Sequence, residues 1–451
     1  VSALATSGFW SGDRVGEVLG ARGPASITFR AVCTDTRALA AGDLFVALTG
    51  ERFDGHAFLA DARARGAAAA VVRRGTPSVP GLPFYEVADP LEALGWLARD
   101  RRRALPVGSP VVAITGSSGK TSTKELTRAA LGARYRVHAT AANLNNLVGV
   151  PLTLLASPDD TDALVVEAGA SVPGEIARLR RVIEPTIAVI TNVGYAHVAG
   201  FGSLDGVLRE KVSLADGVPL AVVGTDPPRL AEEARRRTRT IVAGAVPPAE
   251  VVAERYGLDD EGRAWLRWAG IEITLPFFGL HQVDNAMLAL AVATEVGVPA
   301  GAAMAALTRA ELPGGRGRVL RVGGLVVIDD TYNANPASLR RAVESAAQLA
   351  RDRGRPLAVV VGPMLELGAE SARLHADAAA DIVAREPAMV GVVGDFADAF
   401  RPFEGRLGTR LLAAPDADAL GPRLRAALGG NEIVLLKASR GVALERVLRY
   451  L

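Results

Sequence analysis

Residues able to handle phosphate stand close together at Thr115-Gly-Ser-Ser-Gly-Lys-Thr-Ser122. The apolar run Val111-Val112-Ala113 precedes them, and a helical pattern from Lys120 to Leu131 follows. A buried strand, a glycine turn and a helix N-terminus make an anion cradle, in which backbone N–H groups and the positive helix end face the phosphate. Lys120 adds charge there, and Thr121 offers a hydroxyl to Mg²⁺. The full phosphate-loop pattern has one more glycine, where this chain has Ile114. The shorter Gly-x-x-Gly-Lys-Thr remains, and it predicts a nucleotide site, with ATP as the nucleotide.

The elements around this loop follow from apolar runs broken by glycine and proline. In the middle of the chain, Ala163–Glu167 and 186–191 read as strands and 173–182 as a helix. Such alternation predicts a parallel sheet covered by helices, with the site at the carboxyl ends of its strands. Glu167, Asn192 and His197 fall at or just after those ends. Lys211 lies on a predicted helix over 204–215. Towards the C-terminus the pattern repeats. Strands are predicted at Leu325–Asp329, Leu357–Val361 and 433–436, and helices at 337–350 and 442–448. Near the N-terminus, 42–48 reads as a strand and 57–65 as a helix.

Proline- and glycine-rich breaks at 105–110 and 312–317 cut the chain into 1–106, 107–312 and 313–451. The prediction is an α/β protein of three domains: a small mixed α/β N-terminal domain, a central P-loop parallel-sheet ATPase domain and a C-terminal Rossmann-like α/β domain. With 51 Lys+Arg against 49 Asp+Glu, no general basic field favours nucleic acid. The run from Arg99 to Arg103 is locally basic, and two of its arginines read as solvating a helix end. Cys33 is the one cysteine, which excludes an internal disulfide and reads as a small core residue. No run of ~18 apolar residues suggests a membrane span, and no signal-peptide pattern is visible. A soluble, cytoplasmic chain is expected, with a monomer as the default.

Longer motifs carry a resemblance. Asn143-Leu-Asn-Asn146, Glu167-Ala-Gly-Ala, Ala196-His197, Gly200-Phe-Gly-Ser203 and Gly279-Leu-His-Gln-Val-Asp-Asn285 follow the loop in order. After them come Asp329-Asp-Thr-Tyr-Asn-Ala-Asn-Pro336 and Lys437-Ala-Ser-Arg440, and before the loop stand Thr34-Asp-Thr-Arg37 and Phe53-Asp-Gly-His56. Across nearly its whole length the chain resembles the Mur ligase family, the ATP-dependent amide-forming enzymes of peptidoglycan synthesis. The Tyr332–Pro336 run and the first segment resemble the branch that joins D-alanyl-D-alanine to UDP-N-acetylmuramoyl-tripeptide.

The resemblance implies roles. Asp35, Thr36 and Arg37 of the first domain would lie near the UDP-sugar. Gly116, Ser117, Ser118, Gly119, Lys120, Thr121 and Ser122 would hold the phosphates, with His281 and Asn285 by the adenine. Arg316, Asp330 and Tyr332 would close over the nucleotide. Asn143, Asn146, Asn333, Asn335, Lys437, Ser439 and Arg440 would serve the substrates, the last three receiving the dipeptide. Lys120, Glu167, His197 and Lys211 would be the catalytic set. Two Mg²⁺ ions are implied, held by Thr121, Glu167, His197 and Lys211. The lysine would act as a carbamate formed with CO₂, because an ammonium would repel the metal.

The chain departs from the branch pattern at Ser213 (usually glutamate), Pro363 (usually aspartate), Ala142 and Ala438 (both usually glycine). Folate polyglutamate ligases share the nucleotide domain but lack a UDP-sugar domain before the loop. Sister Mur ligases lack the Tyr332–Pro336 run. A P-loop ATPase switch would instead hydrolyse nucleotide with a protein partner.

Overall fold

The computed structural model describes residues 9–50, 53–195 and 198–451. The chain separates into two compact units. One runs to Ile114 and takes in Arg134–Ala170 and Gly174–Ala188; the other comprises Thr115–Ala133, Ser171–Pro173 and Val189–Leu451.

In the first unit, Val32–Cys33, Leu44–Val46, Ala69–Arg73 and Phe84–Val87 form a four-stranded sheet in that order, each pair parallel. Cys33 packs in its core with Phe45, Ala70 and Val72, as a small apolar residue should. The expected helix over 57–65 begins as a 3₁₀ turn, Gly55–Phe58, and becomes α-helical only over Leu59–Ala64. Further along the same unit, Val137–Ala139, Ala163–Glu167 and Val111–Thr115 pair in parallel in that order. In the last two the β-branched residues are buried on both faces, as parallel strands under helices require.

The helix Pro90–Arg103 starts at an Asp89 cap with proline in its first turn. Its basic end is solvated only in part, with the Arg99 and Arg103 side chains 40 % and 54 % exposed. Arg101, only 7 % exposed, donates to the Ser157 carbonyl at 2.6 Å and to Asp159 at 2.7 Å. Arg102 donates to the Ile183 and Glu184 carbonyls, and Arg99 and Arg103 pair with the Glu184 carboxylate. Burial pushes the Glu184 carboxyl up, but the two guanidiniums outweigh it and hold it below its ordinary value. The arginine run therefore staples this helix to the end of Glu175–Ile183.

The second unit holds the helix Lys120–Leu131 and the parallel strands Leu220–Val223, Arg239–Gly244 and Val251–Val252. It also holds a small antiparallel sheet, Arg255–Leu258, Arg263–Trp268 and Ile271–Phe278. Its C-terminal part is a six-stranded sheet ordered Arg318–Val322, Leu325–Asp329, Ile433–Lys437, Leu357–Val361, Met389–Val393, Leu411–Ala414. The first pair is antiparallel and the others are parallel. Its middle strands are apolar up to their carboxyl ends, and helices Pro336–Asp352 and Ser371–Ala384 pack into the core on one face. The segment expected as a helix over 442–448 is instead two 3₁₀ turns, Arg440–Val442 and Leu444–Arg449. Ala443 between them takes φ +54, which an α-helix cannot accommodate.

Candidate active site

Two glycines of the phosphate loop have no substitute. Gly116 takes φ +149, and a Cβ there would stand 1.9 Å from Thr191 Oγ1; Gly119 takes φ +79, and its Cβ would stand 2.6 Å from Asn285 Oδ1. The loop is fastened from below. Ser117 N–H donates to the Asn192 carbonyl and Ser118 N–H to Asn192 Oδ1, both at 3.0 Å. Thr191 Oγ1 donates to the Ser118 carbonyl at 2.6 Å. With those two amides taken by Asn192, an anion is left to the first turn of Lys120–Leu131, which no side chain caps. Lys120 Nζ donates to the Gly116 carbonyl at 2.8 Å, curled along the loop where a phosphate would draw it out. Thr121 and Ser122 are buried.

Asn285 accepts from Thr123 Oγ1 at 3.1 Å and donates to Gln282 Oε1 at 3.0 Å. Those bonds lock the Lys120–Leu131 helix to His281–Glu295, so Asn285 supports the loop directly. His281 opens the second helix beside Gly279, whose φ is +99. Burial, then the Lys437 and Arg341 charges, push the His281 imidazole down to about 3, so it is neutral near pH 7. Its Nδ1 and the Arg316 Nε are buried without hydrogen-bond partners among the described residues. Arg316 lies flat on Tyr332, 3.6 Å from the ring centroid, and Tyr332 N–H donates to the Gly315 carbonyl at 2.8 Å. Orphaned polar atoms beside a glycine cradle and a stacked cation fit a bound nucleotide.

Glu167 ends its strand 3 % exposed, accepting from Asn145 Nδ2 at 2.8 Å. Its own N–H donates to Thr140 Oγ1 at 2.9 Å. Asn143 is exposed, and Asn146 Oδ1 accepts from Val148 and Gly149 N–H, tying the turn into the helix Gly149–Leu155. Ala142, where glycine is usual, takes φ +48. Lys211 is 1 % exposed on the helix Leu204–Val212, its Nζ 5.7 Å from the Phe201 ring centroid. Ser213 Oγ donates back to the Glu210 carbonyl. His197 lies outside the described residues. Mg²⁺ is usually held by one or two carboxylates together with substrate phosphates; Glu167 is a carboxylate of that kind, and Thr121 offers a hydroxyl oxygen. Among the described residues, no group of three or more His, Cys, Asp and Glu could hold a metal ion by itself.

In the first unit, Arg37 closes on its neighbour Asp35, Nη2 to Oδ2 at 2.6 Å. That hydrogen bond holds the Asp35 carboxyl down at about 2. Thr36 is buried in the 3₁₀ turn that Asp35 caps.

The C-terminal sheet collects its polar residues at the carboxyl ends of its central strands. Lys437 Nζ donates to Asp330 Oδ2 at 2.6 Å and to the Asn333 carbonyl at 3.0 Å. Ser439 Oγ lies 3.3 Å from the Ala334 carbonyl, and Arg440 pairs with Glu445, 5.9 Å from the Tyr332 ring. Asn335 differs from its expected substrate role. Its side chain accepts from Ser338 N–H at 2.8 Å in a capping box that starts the helix Pro336–Asp352. Sequence reasoning missed Asn145, which grips the strand-end glutamate, and Thr191, which holds the loop. Asn145 lay inside the Asn143–Asn146 cluster, and Thr191 stood beside Asn192, so a signal existed for both.

Descriptions of three Mur ligase domains match the chain in sequence. "Mur ligase family, catalytic domain" covers 28–102, "Mur ligase middle domain" 114–293, and "Mur ligase, glutamate ligase domain" 315–440. The chain belongs to the Mur ligase family, and it is a ligase of parallel-sheet α/β fold. Within the family it is 35% identical over 431 residues to the UDP-N-acetylmuramoyl-tripeptide--D-alanyl-D-alanine ligase of Bacillus subtilis, covering 93% of this chain and 92% of that one. The crystal structure of MurF from Acinetobacter baumannii superposes with a TM-score of 0.87, at 31% identity and 98% coverage of both chains. MurF ligase from Thermotoga maritima, solved in complex with ADP, gives 0.82 at 28% identity, covering 93% of this chain and 96% of that one. No helix among the described residues is long and apolar enough to cross a membrane.

Proposed function

We propose that this chain joins D-alanyl-D-alanine to UDP-N-acetylmuramoyl-tripeptide, converting ATP to ADP and phosphate and yielding the UDP-muramoyl-pentapeptide of peptidoglycan synthesis. The observation that carries this reading is the similarity to the Bacillus subtilis ligase along nearly the whole of both chains. The glycine-bound loop and the orphaned His281 nitrogen support its nucleotide half.

The substrate carboxylate attacks the γ-phosphorus, forming an O–P bond as the bond to the ADP oxygen breaks. Lys120 and the first turn of its helix offset the charge that develops. The dipeptide amine then attacks the acyl-phosphate carbonyl, phosphate leaves, and the nitrogen loses its proton as the amide forms. His281 and Asn285 face the base. Arg316, stacked on Tyr332, closes over the nucleotide with Asp330, through the glycines at 314–317. Lys437, Ser439, Arg440 and Asn333 receive the dipeptide, and Asp35, Thr36 and Arg37 serve the UDP-sugar end, with Asn143 and Asn146 on the substrate side. The domains are 1–106, 107–312 and 313–451.

On the family pattern Mg²⁺, as two ions, would be held by Thr121, Glu167, His197 and a carbamylated Lys211, and would neutralise phosphate charge. In carbamylation the uncharged amine of Lys211 attacks CO₂, a C–N bond forms and a proton is released. The chain works as a monomer in the cytoplasm, where ATP and nucleotide-linked precursors meet.

Phosphate release tests the reading. It should appear only when the UDP-muramoyl-tripeptide and D-Ala-D-Ala are both present with ATP. Equal release with ATP alone would point to an ATPase switch, and glutamate replacing the dipeptide would point to a folate-type ligase.

A further inference from the structure

The turn after the strand Leu357–Val361 is held by Ser439 and by His375, a residue that the activity proposed above does not use. Met364 N–H donates to His375 Nε2 at 2.9 Å, and His375 Nδ1 lies 2.8 Å from the Ser371 carbonyl. These partners fix the tautomer. A backbone N–H can only donate, so Nε2 carries the lone pair and Nδ1 the hydrogen, which points at a carbonyl. The ring is buried and packs edge-on against Phe396, with centroids 4.6 Å apart. Ser439 grips the same turn from the other side. Its Oγ accepts from Leu365 N–H at 2.9 Å, and its N–H donates to the Pro363 carbonyl at 3.2 Å.

Held in this way, the turn carries a conformation it would not adopt alone. Glu366 takes φ +65, a left-handed conformation unfavourable for a residue with a Cβ. Leu365, just before it, is 51 % exposed. A Cβ on Gly441 would stand 3.2 Å from Leu365 Cδ1, so the leucine lies over the glycine that follows Ser439 and Arg440. An open aliphatic side chain thus sits at the carboxyl ends of the central strands, where sheets of this kind bind ligands.

We propose that His375 is a positioning residue for the incoming dipeptide, holding the Met364–Glu366 main chain so that Leu365 offers its apolar surface to a small aliphatic side chain of that substrate. The inference rests on the ligase reading above. The dipeptide suits this surface chemically, since its side chains are methyl groups and its charged ends can turn towards the polar residues around Ser439. The Pro363 carbonyl fits the same picture, since it accepts from Ser439 N–H.

The test is steady-state kinetics on the full chain, with a separate KM for ATP, UDP-muramoyl-tripeptide and D-Ala-D-Ala. His375→Ala should raise the dipeptide KM about tenfold, with kcat and the other two KM values within about threefold, the scale of one lost neutral hydrogen bond. His375→Gln, whose amide oxygen reaches the Nε2 position, should bring the dipeptide KM back to within about threefold of the parent. Leu365→Ala, at a half-exposed position, should raise the dipeptide KM several-fold and leave the fold intact. Equal shifts in all three KM values, or no shift, in His375→Ala would overturn the inference, as would a Gln variant no better than Ala. Should His375→Ala not fold, an unchanged dipeptide KM in Leu365→Ala overturns it by itself. If the parent protein shows no dipeptide-dependent phosphate release, the ligase reading fails first and this inference with it; release in the parent with unmoved variants sinks this inference alone.

Discussion

The phosphate loop and the carboxyl edge of the C-terminal sheet use opposite means of building a polar site. In the loop, main chain does the work. Gly116 and Gly119 bring the backbone against Thr191 and Asn285, and the residues that bear the motif lie within one turn of each other. At the C-terminal edge, side chains do the work. Lys437 reaches Asp330 and Asn333, and Ser439 holds both the 334 and the 365 segments. A backbone cradle tolerates almost no change at its glycines, whereas a side-chain cluster can exchange members. Two of the four departures from the branch pattern, Pro363 and Ala438, fall at the C-terminal edge, and none falls within Gly-x-x-Gly-Lys-Thr.

The largest expected effect sharpens the loop side. Lys120→Ala should lower ligation by roughly 10²–10³-fold or more, as for loss of a group that offsets developing charge, with the melting temperature unmoved. Near-normal turnover would remove Lys120 from phosphate chemistry. Lys211→Ala should lose on the order of 10²-fold and be partly restored by added formate or acetate standing in for the carbamate. Full activity without additives would dismiss the carbamate.

At the C-terminal edge, Lys437→Met should destabilise the protein by about 3 kcal/mol in urea unfolding, because Asp330 is left as an unpaired, largely buried charge. Adding Asp330→Asn should recover much of that loss; if the double variant is no better than the single one, the pair is not what orders this edge. Gly119→Ala should cost roughly 1–2 kcal/mol, since a left-handed backbone and a 2.6 Å approach to Asn285 Oδ1 both oppose a Cβ. It should also raise the KM for ATP. An unchanged KM would show that the loop relaxes as freely as a side-chain cluster, and the contrast between the two regions would fall.

The smallest effect concerns His281. Its folded-state value of about 3 lies below that of the unfolded chain. The unfolded state therefore binds the extra proton on acidification. The contribution is fully present above about pH 6.5 and is lost as pH falls towards 3, with about 2 kcal/mol of it gone at pH 5. His281→Asn should flatten that part of the stability–pH curve, and an unaltered slope would mean that the ring already reaches solvent.

Much of this was legible in the residues. The strands Ala163–Glu167, Leu325–Asp329 and Leu357–Val361 and the helix Lys120–Leu131 lie where their patterns put them. Runs of β-branched residues buried on both faces leave little choice of ends, and a glycine at φ +79 starts the helix sharply. The illegible parts share a cause. Arg101 and Arg102 look solvated until the carbonyls of Ser157, Ile183 and Glu184 are brought to them. Asn335 reads as a substrate ligand until its cap geometry with Ser338 is seen. His375 carries no local signal, because its partner Met364 is a backbone amide of a preceding turn.

The amino-acid order alone settled the α/β class, the phosphate loop and the family, because each depends on interactions between neighbours along the chain or on a spacing of residue types. Only the folded structure decided which polar group meets which. Lys437 finds the Asn333 carbonyl across 104 positions of chain, and no local preference encodes that meeting. Burial makes such partners obligatory, since an unpaired polar group is costly away from water, but the packing of strands and helices determines who they are.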